Sequence, residues 1–283
     1  MKRSLIQILF ASLVCTITTS VWGANLEWFG SANDRDWFNT ANWGPTGGPI
    51  PTGVDNVELN YASANSGPVI NAPDAVCNQI IVSYYNASKY HYYDYDSSPV
   101  EQILTVATGG VLTTNDYVIL GFAPAEPQGG WPPDEGSLII NGGTANLLSH
   151  LFVGFGGIGH LEVDSGTCNV LSGMFGLGWN GGTGTVNLNG GVLHTEQWNF
   201  NRASSYRFDI TGGEWIQNHF WVNEIQALVN TGKITAYGGA GTVNVTWDPV
   251  FQQTHVIGII PEPASATIMT LASLFIALKR KKR

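Results

Sequence analysis

Glu162 and Asp164 are the first residues in this sequence that suggest catalysis. In the stretch LEVDSGTCNV they alternate with apolar residues, so on a strand both carboxylates face solvent together. A polysaccharide hydrolase needs two carboxylates roughly 5–10 Å apart. The equivalent positions 25 and then 22 residues further along hold Asn187 and Asn189, then Asp209 and Thr211. An Asp164–Asn189 ladder could serve catalysis, but a solvated polar face gives the same pattern, and we favour that second interpretation.

Other residues that carry chemistry are sparse. A lyase would need a calcium site and a basic residue near its substrate, and neither Arg202 nor Arg207 has an acidic cluster beside it in the sequence. The residues NDRD at 33–36 offer oxygen ligands for calcium, but a capped turn explains them more simply. No HxH or HExxH spacing connects the six histidines, which are His91, His150, His160, His194, His219 and His255. We therefore predict no metal, no cofactor and no catalytic site.

Aromatic residues give the best candidate binding surface. The stretch IIVSYYNASKYHYYDYDSSP is rich in tyrosine, and the insertion FAPAEPQGGWPPDEGS contains a tryptophan. Sugars stack on flat aromatic rings, and exposed aromatics on loops need an explanation. The candidate glycan contacts are Tyr85, Tyr92, Tyr93 and Trp131. The alternative is that these rings pack against the side of the domain, and we interpret Trp179, Trp198, Trp215 and Trp221 as core or edge residues.

A glycine-rich repeat defines the elements that must position these residues. Five segments open with alternating apolar residues and continue through a small corner to two further apolar groups. They begin at Leu104, Leu138, Leu161, Val186 and Phe208. The corner glycines are Gly109, Gly143, Gly166, Gly191 and Gly213, with spacings of 34, 23, 25 and 22 residues, and the Pro/Gly-rich insertion explains the long spacing. We expect positive φ at these corners, which glycine adopts without a steric penalty.

This repeat predicts the fold class. A period of 20–50 residues indicates stacked units that cannot bury their apolar faces alone. We predict an all-β chain with no helix in the repeats, wound over residues 76–250 as a single-stranded parallel β-helix of 22–25 residues per coil. Residues 24–75 would form an N-terminal β cap, residues 233–247 a last strand pair, and residues 251–260 a linker to a C-terminal hydrophobic helix. A β-sandwich, which also has short strands and frequent turns, is the alternative.

The repeat resembles the glycine-rich β-strand repeats of autotransporter passenger domains and of large envelope proteins of planctomycete-type bacteria. The resemblance covers about residues 100–215. The preceding segment, with Trp28, Trp37 and Trp43, resembles the start of such repeat regions. The resemblance implies a β-helix and exposure on the envelope, and it names no reaction.

Charge and cysteine content limit the classes of partner and bond. Residues 24–260 hold five Lys and Arg against twenty Asp and Glu, a net charge of −15. A field of that sign repels phosphate backbones, so nucleic acid is not expected as a partner. Cys77 and Cys168 are an even pair, which in an exported protein allows one disulfide. We expect two separate thiols, because the repeat places them more than one unit apart and a disulfide needs Cα atoms within about 7 Å.

Both ends of the chain carry export signals. Residues 1–23 combine a basic start, an apolar centre and a cleavage pattern before Ala24, which is typical of a signal peptide. Residues 264–278 are apolar and uncharged, and the basic stop Lys279, Arg280, Lys281, Lys282 and Arg283 follows at once. Basic residues beside a membrane-spanning segment stay cytoplasmic, so we expect the body of the chain outside.

The order of the last residues resembles the PEP-CTERM sorting signal of bacterial envelope proteins. Within residues 261–283, Pro261, Glu262 and Pro263 precede the apolar residues 264–278, and the basic stop follows them. Together with the signal peptide, this resemblance implies the Sec machinery, signal peptidase and an exosortase as partners. It also implies transient anchoring in the inner membrane and transfer to the envelope or outer surface of a Gram-negative-type bacterium. A plain C-terminal anchor is the alternative to sorting.

Two functions are therefore expected. The first is a non-catalytic cell-envelope or extracellular-matrix protein that associates with exopolysaccharide. The alternative is a β-helix polysaccharide lyase or hydrolase, because acidic β-helices include such enzymes.

Overall fold

The structure of the protein is a computed structural model that describes residues 23–59, 67–84, 101–123, 135–200 and 205–260. Several predicted features lie outside these residues. They are the body of the signal peptide, the Pro261–Glu262–Pro263 motif with the apolar segment and basic stop, the candidate glycan contacts Tyr85, Tyr92, Tyr93 and Trp131, and Arg202. Within the described ranges, no helix is long and apolar enough to cross a membrane.

Strands dominate the described residues, which confirms the all-β class. The first eight are β1 Asn25–Glu27, β2 Asn56–Leu59, β3 Val69–Ile70, β4 Ala75–Cys77, β5 Gln79–Tyr84, β6 Gln102–Ala107, β7 Val111–Thr114 and β8 Val118–Phe122. The central ones are β9 Glu135–Leu147, β10 Leu151–Phe155, β11 Ile158–Trp179, β12 Thr183–Leu188 and β13 Val192–Asn199. The last are β14 Ser205–Ile210, β15 Glu214–Asn218, β16 Ile234–Ala236, β17 Thr242–Asp248 and β18 Gln253–Ile259, with one α-helix, α1 Val222–Asn230, between β15 and β16.

Parallel pairing between successive repeats joins these strands into one large sheet. Leu104 lies opposite Leu138, Leu138 opposite Leu161, Leu161 opposite Val186, and Val186 opposite Phe208. These residues begin the five predicted segments, so the predicted alignment is confirmed. Among the described strands, only β18 pairs antiparallel, with β15 and with β17. This parallel pattern differs from the antiparallel pairing of a β-sandwich.

Equivalent positions of the repeats form apolar rows in the core. The first row continues from Leu104 through the residues paired with it to Ile234. The second row is Val106, Ile140, Val163, Leu188, Ile210 and Ala236, and the third is Leu112, Ala145, Cys168, Leu193 and Trp215. Residues in these rows are at most 1% exposed. Burial of apolar surface between neighbouring strands is thus the main stabilising term along the whole sheet.

The corner glycines have two physical reasons for being glycine. Gly109, Gly166 and Gly191 have φ of +83°, +86° and +67°, as predicted. The prediction is wrong for Gly143 and Gly213, whose φ is not positive. A β-carbon at Gly143 would lie 2.5 Å from the carbonyl oxygen of Ala107, and one at Gly213 would lie 2.6 Å from the side chain of Leu188. Close packing between repeats, and not backbone conformation, therefore requires glycine at these two corners.

Residues 24–75, the predicted N-terminal cap, belong to the same sheet as the repeats. β1 pairs with β2, and β2, β3 and β4 pair in parallel with β5, β6 and β7. Trp28, Trp37 and Trp43 are at most 2% exposed. Trp43 meets the other two rings edge to face, at centroid distances of 5.1 Å and 4.8 Å. This tryptophan cluster fills the N-terminal end of the core.

The C-terminal part contains a helix that the sequence did not suggest. α1 carries apolar residues at Val222, Ile225 and Leu228, a spacing that places them on one helical face. Ile225 is buried, and α1 packs against β16 and β17. The segment is too short for its period to stand out against the strands around it, and packing at the end of the sheet selects the helix.

Residues 251–260, predicted as a linker, contain β18 instead. Thr254 and Val256 are buried while their neighbours are not, so QTHVIGI has the alternation of a half-buried strand. The predicted strand pair within residues 233–247 also has different partners, because β16 pairs with β14 and β17 pairs with β18. The sheet therefore continues almost to residue 260.

Cys77 and Cys168 are separate buried thiols, as predicted. They lie on β4 and β11, which are three strands apart through β7 and β9. Strands are spaced about 4.8 Å apart, so the two sulfur atoms are beyond disulfide reach. Burial raises the pKa of the Cys168 thiol to about 12. Both cysteines act as small apolar core residues.

Candidate functional site

The predicted polar ladder exists on the outer side of β11 and its neighbours. Asn189 follows β12, and its Nδ2 donates to Glu162 Oε1 and to Asp164 Oδ1, both at 2.9 Å. Asn189 Oδ1 accepts a hydrogen bond from Thr211 Oγ1 at 3.1 Å. The amide of Asn189 thus connects three successive repeats and holds the two carboxylates close together.

The pKa of Glu162 is the electrostatic feature of this ladder that bears on catalysis. Partial burial, together with the negative charge of Asp164, raises the pKa of the Glu162 carboxyl above its usual value, although Asn189 opposes the shift. A carboxyl with a raised pKa beside a second carboxyl group is the arrangement that a glycosidase uses for its general acid. This is the strongest chemical feature of the ladder.

Asp209 does not share the exposure of the ladder. The strand alternation suggests an outward side chain, yet Asp209 is only 5% exposed. It accepts hydrogen bonds from the hydroxyl of Thr235 and from the backbone nitrogen of Gly238, because β16 and the turn after it cover this position. Arg207 lies 3.7 Å away and is more than half exposed. Asp209 is therefore a structural acceptor at the end of the sheet.

The NDRD residues at 33–36 form a capped turn. Asp34 accepts hydrogen bonds from the side-chain amides of Asn39 at 2.6 Å and Asn42 at 2.7 Å, and from the backbone nitrogen of Asp36 at 3.0 Å. The amide of Asn42, and then that of Asn39, lowers the pKa of the Asp34 carboxyl. These donors occupy the oxygens that calcium would need. In the part of the chain that the structure describes, no three His, Cys, Asp or Glu side chains come together as metal ligands.

Histidine–glutamate pairs recur towards the C-terminal end of the sheet. His219 Nε2 lies 3.1 Å from Glu196 Oε1, and His255 Nδ1 lies 2.8 Å from Glu214 Oε1. The latter pair lines an open depression of about 520 Å³, together with Thr246, Trp247, Asp248, Pro249, Val250 and Ile257. Its walls combine one tryptophan with charged groups, but it is a wide, shallow surface and not an enclosed site.

A row of partly buried aromatic side chains lies along another part of the sheet. We call Phe122, Phe152, Phe155 and Trp179 the aromatic row. Phe122 and Phe155 stack at a centroid distance of 5.7 Å, and Phe152 lies 5.5 Å from Phe155 and 5.3 Å from Trp179. The indole nitrogen of Trp179 donates to the backbone oxygen of Asn199 at 3.1 Å, which fixes the ring. The rings therefore form a continuous apolar strip across β8, β10 and β11.

Glycine makes room for this strip. Phe122, Phe155 and Trp179 each follow a glycine with positive φ, in the triplets LGF, VGF and LGW. On the inner side of the row, a β-carbon at Gly176 would lie 2.6 Å from the indole nitrogen of Trp179 and 2.8 Å from the ring of Phe152. The row was not predicted, and Trp179 was expected in the core or at an edge. The apolar–Gly–aromatic triplet is the repeated sequence signal that marks the row.

The strands of the aromatic row are close in sequence to the predicted glycan contacts. Tyr84, the last residue of β5, is paired with Phe122, which is paired in turn with Phe155. Tyr85 is the next residue after β5, and the insertion with Trp131 follows β8. Tyr85, Tyr92, Tyr93 and Trp131 themselves lie outside the described residues.

Comparisons with known proteins add no relative to this description. No family model, curated protein or solved structure matches the chain.

Proposed function

We propose that this protein is an exported, non-catalytic cell-envelope or extracellular-matrix protein that holds polysaccharide. The aromatic row is the observation that carries the proposal. Planar rings in register on neighbouring strands offer consecutive stacking surfaces for the apolar faces of sugar units, and the acidic charge of the chain favours a neutral glycan over a polyanion. Tyr85, Tyr92, Tyr93 and Trp131 would extend this surface.

The proposed scaffold is a single-stranded parallel β-helix. Successive parallel partners are separated by 23, 25 and 22 residues, from Leu138 to Leu161, Val186 and Phe208. A spacing of one short repeat between parallel neighbours is what a β-helix with three short strands per coil requires. Such a scaffold would present the aromatic row and the polar ladder on separate sides.

The proposed destination is the envelope. Residues 1–23 would direct Sec export and be removed by signal peptidase, and the PEP-CTERM-like ending would be recognised by an exosortase after transient anchoring in the inner membrane. Mass spectrometry of the C-terminal peptide from mature envelope tests the sorting step. Loss of residues after the Pro261–Glu262–Pro263 motif is expected, and an intact Arg283 would argue for a plain anchor.

Binding to polysaccharides tests the glycan surface. We expect the purified protein to bind a neutral exopolysaccharide in a glycan array or affinity gel, and Phe152→Ala with Trp179→Ala to weaken binding by about tenfold or more, as for other aromatic hot spots. Phe220→Ala is the matched control, because Phe220 is a half-exposed aromatic residue outside the row. Equal loss in the control, or binding unchanged by the double substitution, would contradict the assignment.

A glycan-active enzyme is the second candidate, and the pair of Glu162 and Asp164 is the observation that favours it. The raised pKa of Glu162 beside Asp164 suits a general acid and its partner. A screen of soluble polysaccharides with the wild type, Glu162→Gln and Asp164→Asn separates the two functions. Turnover that both substitutions abolish would replace our first proposal with this one.

A further inference from the structure

Asp55 forms an acceptor site around the backbone nitrogen of Ala24. Oδ1 of Asp55 accepts a hydrogen bond from this nitrogen at 2.8 Å. Oδ2 accepts from the backbone nitrogen of Thr52 at 2.9 Å and from its hydroxyl at 2.5 Å. Asp55 is only 9% exposed. Burial alone would raise the pKa of this carboxyl, but the hydrogen bonds from Thr52 and Ala24 outweigh burial and lower it, so the site holds a carboxylate.

We propose that this carboxylate binds the α-ammonium group that signal-peptide removal creates at Ala24. The inference rests on the proposed export, because Ala24 is the first residue only after cleavage of the Gly23–Ala24 bond. Hydrolysis of that bond consumes one water, leaves a carboxylate on Gly23 and leaves an amine on Ala24. A free α-amino group has a pKa near 8, so the amine takes up a proton at neutral pH.

The ammonium group needs no rearrangement to reach Asp55. The nitrogen of Ala24 is already in place, because the oxygen of Ala24 accepts from the backbone nitrogen of Asn56 at 2.8 Å and Asn25 lies opposite Asn56 at the start of β1. Cleavage converts a neutral donor at this position into a charged one. The hydrogen bond to the Asp55 carboxylate then gains the Coulomb attraction between two opposite charges, which is strongest where the pair is shielded from water.

The position of the ammonium group determines which strand is stabilised. β1 is short and pairs with β2, and chain termini fray unless they are tied down. An ion pair between Ala24 and Asp55 fastens β1 to the segment that precedes β2. Processing would therefore stabilise the N-terminal end of the folded protein at the moment when the chain is released outside.

The residue before Ala24 provides a matched comparison. A β-carbon on Gly23 would lie 1.5 Å from the carbonyl oxygen of Val54, so the uncleaved chain fits here only with glycine. A chain that begins at Gly23 therefore keeps the backbone geometry and the hydrogen bond to Asp55. Its ammonium group, however, is one residue further away, about 3.8 Å along the chain.

A double-mutant cycle on chains that end at Arg283 tests the ion pair. Chains beginning at Ala24 and at Gly23 are compared, each with Asp55 and with Asp55→Asn, by thermal unfolding in low salt and mild detergent at pH 7. We expect the Ala24 chain to melt about 2–4 °C higher than the Gly23 chain when Asp55 is present, and the difference to vanish with Asn. Equal melting temperatures with Asp55, or a difference that survives Asp55→Asn, would overturn the proposal.

A second measurement needs no change at Asp55. Acetylation of the terminal amine of the Ala24 chain should lower its melting temperature to that of the Gly23 chain, because it removes the charge and keeps an N–H donor. An unchanged melting temperature would count against the ion pair. Since both measurements use purified chains, their outcome is separate from export. N-terminal sequencing of the exported protein must then give Ala24, and any other first residue would overturn the inference while leaving export intact.

Discussion

The two ends of the sheet are closed in different ways. At the N-terminal end, Trp28, Trp37 and Trp43 are almost fully buried and pack edge to face. At the C-terminal end, α1 and the hairpin of β17 and β18 lie last, and large apolar side chains remain in solvent. Val250 is 80% exposed and Phe251 71% exposed.

This difference shows that closing a sheet does not require one kind of element. An open end leaves core and strand edges unprotected, so either a buried aromatic cluster or a crossing helix and hairpin can cover it. The aromatic cluster adds large buried surfaces to the core. The hairpin adds backbone hydrogen bonds through antiparallel pairing with β15, while the side chains at its tip contribute little burial.

The largest expected effect comes from removing the tryptophan cluster. Trp43→Ala should lower the free energy of unfolding by about 3–5 kcal/mol, because it opens a cavity among fully buried rings. Phe251→Ala at the other end should change it by no more than about 0.5 kcal/mol, since that ring is exposed. Urea denaturation of both variants measures the contrast. Similar losses at the two ends would show that the hairpin tip is buried in solution.

Two glycine substitutions compare tight backbone packing within the sheet with the open surface near its C-terminal end. A β-carbon at Gly110, between β6 and β7, would lie 2.1 Å from the carbonyl oxygen of Ile70, whereas one at Gly232, after α1, meets nothing within 4 Å. Gly110→Ala should destabilise by about 3 kcal/mol, the upper part of the overpacking range. Gly232 has φ of +69°, so Gly232→Ala should cost only about 1 kcal/mol of conformational strain. Equal losses in the free energy of unfolding would mean that backbone conformation, and not steric contact, determines the need for glycine at both sites.

Much of the central sheet could be predicted from the sequence, because one simple pattern repeats there. Alternating apolar residues before a glycine corner locate Leu138, Leu161 and Val186 in register, and the same alternation locates the ladder of Asp164 and Asn189. Each repeat has neighbours on both sides, so the local pattern and the environment agree. The ends lack a neighbour on one side, and there the pattern stops being informative.

The failures follow from that missing neighbour. α1 and β18 lie beyond the repeat, and their own apolar periods are short. Which element forms there depends on the surface that the last repeat leaves uncovered. Asp209 was expected at the outer side with the ladder, but Thr235 and the turn at Gly238 cover it because the chain ends its repeats there. The aromatic row was missed for another reason, since the repeat was aligned on its corner glycines and no role was assigned to Gly121, Gly154 and Gly178, which precede three of the rings.

A smaller effect distinguishes two members of the tryptophan cluster. The indole nitrogen of Trp43 donates to the backbone oxygen of Trp37 at 2.8 Å, whereas the buried indole nitrogen of Trp37 has no partner among the described residues. Trp43→Phe loses a hydrogen bond that Trp37→Phe does not lose. We expect Trp43→Phe to be the more destabilising by about 1 kcal/mol in urea denaturation. The reverse order would indicate that ring volume dominates over hydrogen bonding in this cluster.

The smallest expected effect is on stability in acid. It is a comparison between Glu196, near the C-terminal end of the sheet, and Glu162, in its middle. The amide of Asn218, and then His219, lowers the pKa of the Glu196 carboxyl. The folded state therefore binds this proton less tightly than the unfolded chain, so the stabilisation is present above the ordinary value of 4.5 and is lost as the pH falls through the lowered pKa. Glu196→Gln should consequently show a smaller drop in melting temperature between pH 6 and pH 3 than the wild type.

Glu162→Gln is the control with the opposite sign. Partial burial, and then Asp164, raises the pKa of Glu162, so the folded state binds this proton more tightly and stability falls as the pH rises through the raised pKa. At pH values above the raised pKa, Glu162→Gln removes an unfavourable charge and should raise the melting temperature slightly. In acid, where the carboxyl is protonated, the substitution should leave the melting temperature unchanged. Circular dichroism melts across the pH range measure both variants. If both substitutions shifted the pH profile of the melting temperature in the same direction, the two carboxyls would have similar environments. The distinction between a hydrogen-bonded carboxylate near the C-terminal end and a crowded acidic ladder would then be wrong.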